Sequence, residues 1–185
     1  PACQGAQTGI VDPLIAQLPL IKELLAAYRI PVFQLEGYEA EDLQATIARR
    51  IAAECDVLLV TGDKDALQLV GPRIKVYNPH KDHVVLDAGD VQERYGVPPE
   101  RMVDLMALMG DAIDNIPGVP GIGEKTASAL LREFGSVEGL YEHLDDLKSA
   151  SQRTALAQHR EQVELARDLA RIDDHDPINE IQLRD

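Results

Sequence analysis

Tryptophan is missing from this 185-residue chain, and aromatic residues are few, two Phe and five Tyr. That argues against recognition by stacking bases on aromatic platforms. Cysteine is almost absent as well. Cys3 and Cys55 stand alone, without the spacing of a metal cluster or a redox pair. There is no signal-peptide pattern, and no apolar run approaches the ~18 residues of a membrane span. The expectation is a cytoplasmic protein with no membrane partner. Positive charge is scarce too, with 18 basic against 32 acidic residues and a net charge of −14. A nucleic-acid binder ordinarily presents a basic surface, because phosphate contacts dominate its affinity. Most of the acidic excess reads as a solvated surface, and any contact with nucleic acid has to be local. An initiating Met is lacking, and PACQGAQTG has the low pattern of a loop or a broken end, which predicts residues upstream.

Hydrophobic residues make up 45% of the chain, enough for a folded core. Residues 18–28 have helical periodicity, with Leu20, Leu24 and Ala27 on one face. PVFQL, residues 31–35, reads as a short strand. Residues 39–53 form a second helix, with Leu43, Ile47 and Ile51 at four-residue spacing. DVLLVT, residues 56–61, has the continuous apolar run of a strand buried on both faces, which favours a parallel sheet. Residues 74–78 and 84–87 read as a hairpin at the sheet edge. From Ala88 onward the pattern is helical, with segments 90–95, 98–109, 123–134 and 135–141. A long amphipathic helix over 147–171 offers Leu156, Val163, Ala166 and Leu169 to the core. The prediction is an α/β fold with a mainly parallel sheet flanked by helices over residues 1–95, followed by an all-α half over 96–185.

Three acidic groups punctuate this pattern. Glu39, Glu41 and Asp42 open a helix, Asp63 and Asp65 follow the apolar strand, and Asp111 and Asp114 precede a glycine-rich turn. Each has an ordinary explanation, since carboxylates favour helix N-termini and Asp beside Gly is common in turns. Taken together they suggest more, because α/β sheets place their sites at the carboxyl ends of strands. If residues 31–35 and 56–61 are parallel neighbours, Glu39, Glu41, Asp42, Asp63 and Asp65 converge on one rim. Like charges that crowded need cations to hold them. Oxygen donors without His or Cys select a hard ion, Mg²⁺ or Mn²⁺, and a pair of such ions is a phosphodiester-cleaving device. His80, His83, His143, His159 and His175 lack a paired nucleophile and read as surface residues.

The turn itself, NIPGVPGIG, joins two helices. Gly121 and Gly123 remove side chains where a backbone would approach a phosphate, and Lys125 and Thr126 add a charge and a hydroxyl. A tight connection that needs glycine for its φ angles is the plainer alternative.

The motifs EGYEAEDLQATIA, LLVTGDKDALQLV and YGVPPERMVDLMALMGDAIDNIPGVPGIGEKTASALLREFGSVEGL occur in this order. With them the chain resembles the 5′-nuclease (flap endonuclease) family, specifically the 5′→3′ exonuclease domain of bacterial DNA polymerases, over residues 14–178. The resemblance implies a PIN-like α/β half and a helix–hairpin–helix half. It also implies two divalent metals held by Glu39, Glu41, Asp42, Asp63, Asp65, Asp111 and Asp114. The hairpin would grip duplex DNA through Gly121, Gly123, Lys125 and Thr126, with a K⁺ ion on the carbonyls of Val119 and Ile122. The implied activity is sequence-independent cleavage near a 5′ end, nick or flap in replication or repair, nucleoid-associated, with a polymerase domain as partner in cis or trans.

Departures qualify that picture. Family members begin with two aspartate-bearing strands and a basic helical arch that this sequence does not contain, and Glu41 stands where they usually carry Asp. A DNA-backbone-binding module with impaired catalysis is therefore the alternative reading, and a PIN-like ribonuclease a third.

Overall fold

The structure, a computed structural model, describes residues 12–80 and 83–174. His175, Cys3 and the opening nine residues lie outside them. After a short helix α1 (Asp12–Ile15), α2 (Leu18–Ala27) forms where the periodicity places it. Its end is set by Arg29 at φ 58°, with Ile30 N–H reaching back to the Leu25 carbonyl, the left-handed stop that commonly closes helices. None of its side chains is buried, and the stripe of Leu20 and Leu24 faces solvent. The expected strand at residues 31–35 is not formed. Among the described residues that segment has no ladder partner, and Val32 and Phe33 are exposed.

Helix α3 (Ala40–Ile51) begins with a reciprocal cap in which Glu39 and Asp42 satisfy each other's backbone N–H groups. It seats Leu43, Ala45, Thr46 and Ala48 in the core, while Ile47 and Ile51 are half-buried. Small residues allow close approach to the sheet, which explains why the large ones mark its edges. Strand β1 (Val57–Val60) pairs in parallel with β2 (Ile74–Asn78), Val57 opposite Ile74 and Val60 opposite Tyr77. β3 (Val84–Leu86) adds antiparallel to β2, so the expected hairpin is present and the small sheet is mixed. β1 is covered on one face only. Leu59 is buried, whereas Leu58 and Val60 are 51% and 60% exposed, which corrects the expectation of burial on both faces. The β1–β2 crossover runs through a 3₁₀ turn, Asp65–Leu69, whose Ala66, Leu67 and Leu69 are buried.

The second half is helical, as expected. α4 (Ala88–Tyr95) is capped by the Asp87 side chain and closed by Gly96 at φ 73°. A 3₁₀ turn, Pro99–Arg101, leads into α5 (Met102–Met109), the centre of the molecule, where Met102, Leu105, Met106, Ala107 and Leu108 are fully buried. α6 (Glu124–Phe134) and α7 (Val137–Glu142) follow, with α6 packed on α5. The single long helix expected over 147–171 is two, α8 (Ala150–Gln158) and α9 (Arg160–Ala170). The break falls at His159, at φ −111° and ψ 19°, with its Nδ1 2.8 Å from the Ala155 carbonyl. The change of direction keeps Leu156, Val163 and Ala166 buried but turns Leu169 outward, and Ala170 replaces it.

α9 lies along α5 within the helical half, and its C-terminal end ties that half to the first. Buried Asp104 of α5 is ion-paired at 2.9 Å with Arg167 of α9 and receives the Val137 N–H, while Arg167 also reaches Glu138. Beyond α9, the Gln68 side chain donates to the Ala170 carbonyl and accepts from Ile172 N–H, at 3.0 and 3.1 Å. One continuous core therefore runs from α3 to α9. Among the described residues no helix is long and apolar enough to cross a membrane.

Candidate functional site

The carboxyl end of β1 turns sharply. Thr61 Oγ1 accepts the Asp63 N–H, and Asp63 Oδ1 accepts the Asp65 N–H, both at 3.0 Å. These two short bonds set the turn in which Lys64 and Asp65 point toward the end of α5. There Gly110, at φ 81°, ends the helix and the chain closes a loop. Asp111 and Ile116 exchange backbone hydrogen bonds at 2.8 and 2.7 Å, and Asp111 Oδ1 accepts the Ile113 N–H. Gly118 packs so tightly on this loop that a Cβ would lie 2.2 Å from the Met109 carbonyl oxygen. The loop geometry is thus fixed by backbone contacts.

Carboxylate oxygens of Asp65, Asp111 and Asp114 come within 4.8 Å of one another. Asp111 is buried, Asp65 half-buried and Asp114 exposed. Burial first, then Asp63, Asp114 and Asp111, push the Asp65 carboxyl up to about 7, against the opposing charge of Lys64. Asp114 rises to about 6 through desolvation and its neighbour Asp111. Burial acts on Asp111 in the same direction, but the Lys64 ammonium, 2.6 Å away, and the Ile113 N–H outweigh it and hold Asp111 below the ordinary range. Asp65 Oδ1 is buried and has no hydrogen-bond partner among the described residues.

The other acidic residues are arranged differently from the five-carboxylate rim. With no strand at 31–35, parallel strand neighbours do not bring them together. The N-terminus of α3 does so instead, more loosely. Glu39 is exposed at that terminus, and its carboxyl is raised by desolvation and then by Asp42, Glu41 and Asp63. Asp63 therefore lies between the α3 group and the tight triad and acts on both. Glu41 and Asp42 are half-buried. The Asp42 carboxylate is engaged by the backbone, with Oδ2 accepting Glu39 N–H at 3.1 Å and Oδ1 accepting Asp173 N–H at 2.9 Å. It caps α3 and holds the segment after α9.

The glycine turn follows the triad directly. Val119 N–H bonds to the Leu108 carbonyl and Ile122 N–H to the Val119 carbonyl, with both side chains buried as anchors. Gln162 of α9 donates to the carbonyls of Pro117 and Gly118 at 3.2 and 3.0 Å. Gly121 and Gly123 differ from each other. Gly121 has φ 81°, so its conformation alone calls for glycine. Gly123 has an ordinary φ of −93°, and a Cβ there would meet nothing within 4 Å. The fold gives no reason for glycine at 123. Lys125 is exposed and Thr126 half-buried on the first turn of α6.

Two family models match the chain. The model described as the 5′–3′ exonuclease N-terminal resolvase-like domain matches residues 7–96, and the 5′–3′ exonuclease C-terminal SAM fold matches residues 97–185. The chain belongs to the 5′–3′ exonuclease family. It is 46% identical over 186 residues to DNA polymerase I of Bacillus caldotenax, an alignment covering 98% of this chain and 21% of that protein. Among solved structures it is similar to bacteriophage T5 5′-exonuclease with bound zinc ions, at TM-score 0.75 and 25% identity, covering 90% of this chain and 64% of that one. It is also similar to the T5 flap endonuclease in a pseudo-enzyme–product complex with DNA and metal ions, at TM-score 0.73 and 25% identity, covering 90% and 63%. This chain thus spans about a fifth of the polymerase it matches.

Three residues in the neighbourhood of the site were not singled out from the sequence. Lys64 lies inside TGDKD and reads there as a spacer between carboxylates. Gln68 and Gln162 have no local signal at all, because their partners are 102 and 44 residues away.

Proposed function

We propose that this chain is the nuclease portion of a DNA-processing protein, cleaving phosphodiesters near a 5′ end, nick or flap in duplex DNA without reading sequence. The observation that carries this reading is that Asp111 and Asp114, which form a carboxylate triad with Asp65, run directly into an open glycine turn. Within residues 1–95 and 96–185 the labour divides accordingly, the first supplying most of the acidic rim and the second the hairpin.

The residues fit a pair of hard divalent cations, Mg²⁺ or Mn²⁺. Asp65 offers an orphaned buried oxygen, its neighbours are carboxylates only, and both Asp65 and Asp114 are forced toward the protonated state when no cation balances them. Asp65, Asp111 and Asp114 would hold one ion, and Asp63, Glu39 and Glu41 would complete the second. Asp42, expected among the ligands, is better read as the residue that positions Glu39. When bound, such ions neutralise charge at a phosphodiester and make a water nucleophilic at neutral pH. The chain's own contribution is positional. Lys64 keeps Asp111 ionised, and the backbone-locked loop 111–118 fixes the triad relative to the hairpin. Gly121 and Gly123 leave the backbone open to a phosphate, and Lys125 and Thr126 supply a charge and a hydroxyl beside it. The Val119 and Ile122 carbonyls are the candidates for K⁺, the former shared with the Ile122 N–H. A polymerase domain in the same protein or in a partner fits the relatives' composition, and nucleoid association would follow from the substrate.

The test is incubation with a 5′-flap duplex in Mg²⁺ or Mn²⁺, beside an Asp63→Ala variant. Cleavage by the parent and its loss by about three orders of magnitude in the variant is expected, the scale of a lost preorganised electrostatic contribution. Unchanged cleavage in the variant would remove the assignment. Salt-sensitive duplex binding without cleavage would favour the backbone-binding module, the second reading left by the sequence.

A further inference from the structure

Beside the first turn of α6 an open cleft of about 380 Å³ runs between that helix and the turn leading into α8. Its polar lining consists of Lys125, Thr126, Lys148, Ser149, Gln152 and Glu133, over an apolar floor. Two facts single it out. Lysine is rare in this acidic chain, and among the described residues Lys22, Lys64 and Lys75 are partnered by Gln34, Asp111 and Asp87. Among the described residues Lys125 and Lys148 have no hydrogen-bond or ion-pair partner, and both line this one cleft. Two ammonium groups thus line one space in which Glu133 is the lining carboxylate, on a molecule of net charge −14.

We infer that this cleft is a second phosphate-backbone subsite, with Lys148 as its outer cation, which carries the duplex from the glycine turn across α6 toward α8. The inference rests on the proposed nuclease reading and deepens it, since Lys125 and Thr126 belong both to the hairpin's binding edge and to the cleft. A phosphate seated there meets Lys125 on one wall and Lys148 on the other. Ser149 is less available, because its hydroxyl already caps α8 by accepting the Gln152 N–H. Gln152's side-chain amide adds a neutral donor. Contacts of these lysines to phosphate position the duplex without reading its sequence.

The experiment measures binding of a labelled 5′-flap duplex by fluorescence anisotropy in EDTA, which suppresses cleavage, across a range of KCl concentrations. Lys148→Ala, at an exposed position, should keep the far-UV spectrum and melting temperature of the parent. It should lower the slope of log affinity against log salt by about 0.9, the release expected for one phosphate contact, and weaken binding severalfold for every duplex sequence alike. Lys148→Arg should restore both. If Lys125→Ala reduces the slope and Lys148→Ala does not, the inferred subsite is wrong while the nuclease reading stands. Absence of salt-dependent duplex binding by the parent chain would remove both. Binding of oligoglutamate with the same dependence on Lys148 would show that the cleft takes acidic peptide, and would also overturn the inference.

Discussion

Asp65 is the point where the proposed metal centre conflicts with the fold, and Asp65→Asn isolates that conflict. In the metal-free chain its carboxyl is raised from 3.8 to about 7, by burial first and then by Asp63, Asp114 and Asp111. The unfolded chain releases this proton near 3.8. Between those two pH values the folded chain therefore binds more protons than the unfolded one, and stability falls as pH rises through the window. The interval of roughly three pH units corresponds to about 4 kcal/mol at 1.36 kcal/mol per unit. Asp65 retains partial solvent access, and screening reduces the expected loss to about 2 kcal/mol by pH 8. Asparagine has the same shape without the charge. Urea unfolding in EDTA, followed by far-UV circular dichroism, should find the variant about 2 kcal/mol more stable than the parent at pH 8. Most of that gain should be gone at pH 4. Asp114, raised to about 6, leaves a smaller residual slope below that pH. Saturating Mg²⁺ at pH 8 should reverse the ranking, stabilising the parent by about 2.7 kcal/mol at a hundredfold excess over Kd and the variant by much less. A variant that is less stable than the parent at pH 8 without metal, or that keeps the parent's full pH dependence, would refute the charge-crowding argument.

Two further outcomes are expected. Gly123→Asp should leave the melting temperature unchanged or slightly raised, because position 123 is the N-cap of α6, where Asp is a better cap than Gly and the space is open. The same change should weaken duplex binding about tenfold or more in an anisotropy titration, as expected for the roughly 1.5–3 kcal/mol of one charged hydrogen bond. Asp104→Ala should destabilise the chain by about 3–5 kcal/mol in urea unfolding, since it leaves the Arg167 guanidinium without its buried partner.

The helical half could be read from the sequence because its signals are local. Asp87 before α4, Gly96 after it and Gly123 before α6 are caps, and caps act over three or four residues. The acidic groups were legible as groups for the same reason, since Asp63 with Asp65 and Asp111 with Asp114 are neighbours in the chain. Errors arose where a non-local partner decides. Residues 31–35 have the composition of a strand but no ladder partner. Leu20, Leu24, Leu58 and Val60 have the pattern of buried residues, and it is the packing around them that leaves them exposed. The 147–171 helix breaks at His159 because α9 must lie along α5 with Arg167 against Asp104.

By itself the sequence determined the inventory: which carboxylates exist, their order, and the glycine turn that follows them, together with the family those motifs resemble. Tertiary structure decided the assignment within that inventory. It drew Asp65 to Asp111 and Asp114, because the turn after β1 and the end of α5 meet, and it occupied Asp42 with two backbone N–H groups. It also set Lys64 on Asp111, and brought Lys125 and Lys148 to one cleft. Proximity between residues far apart in the chain comes from packing helices and strands around one core, and a local pattern contains no record of it.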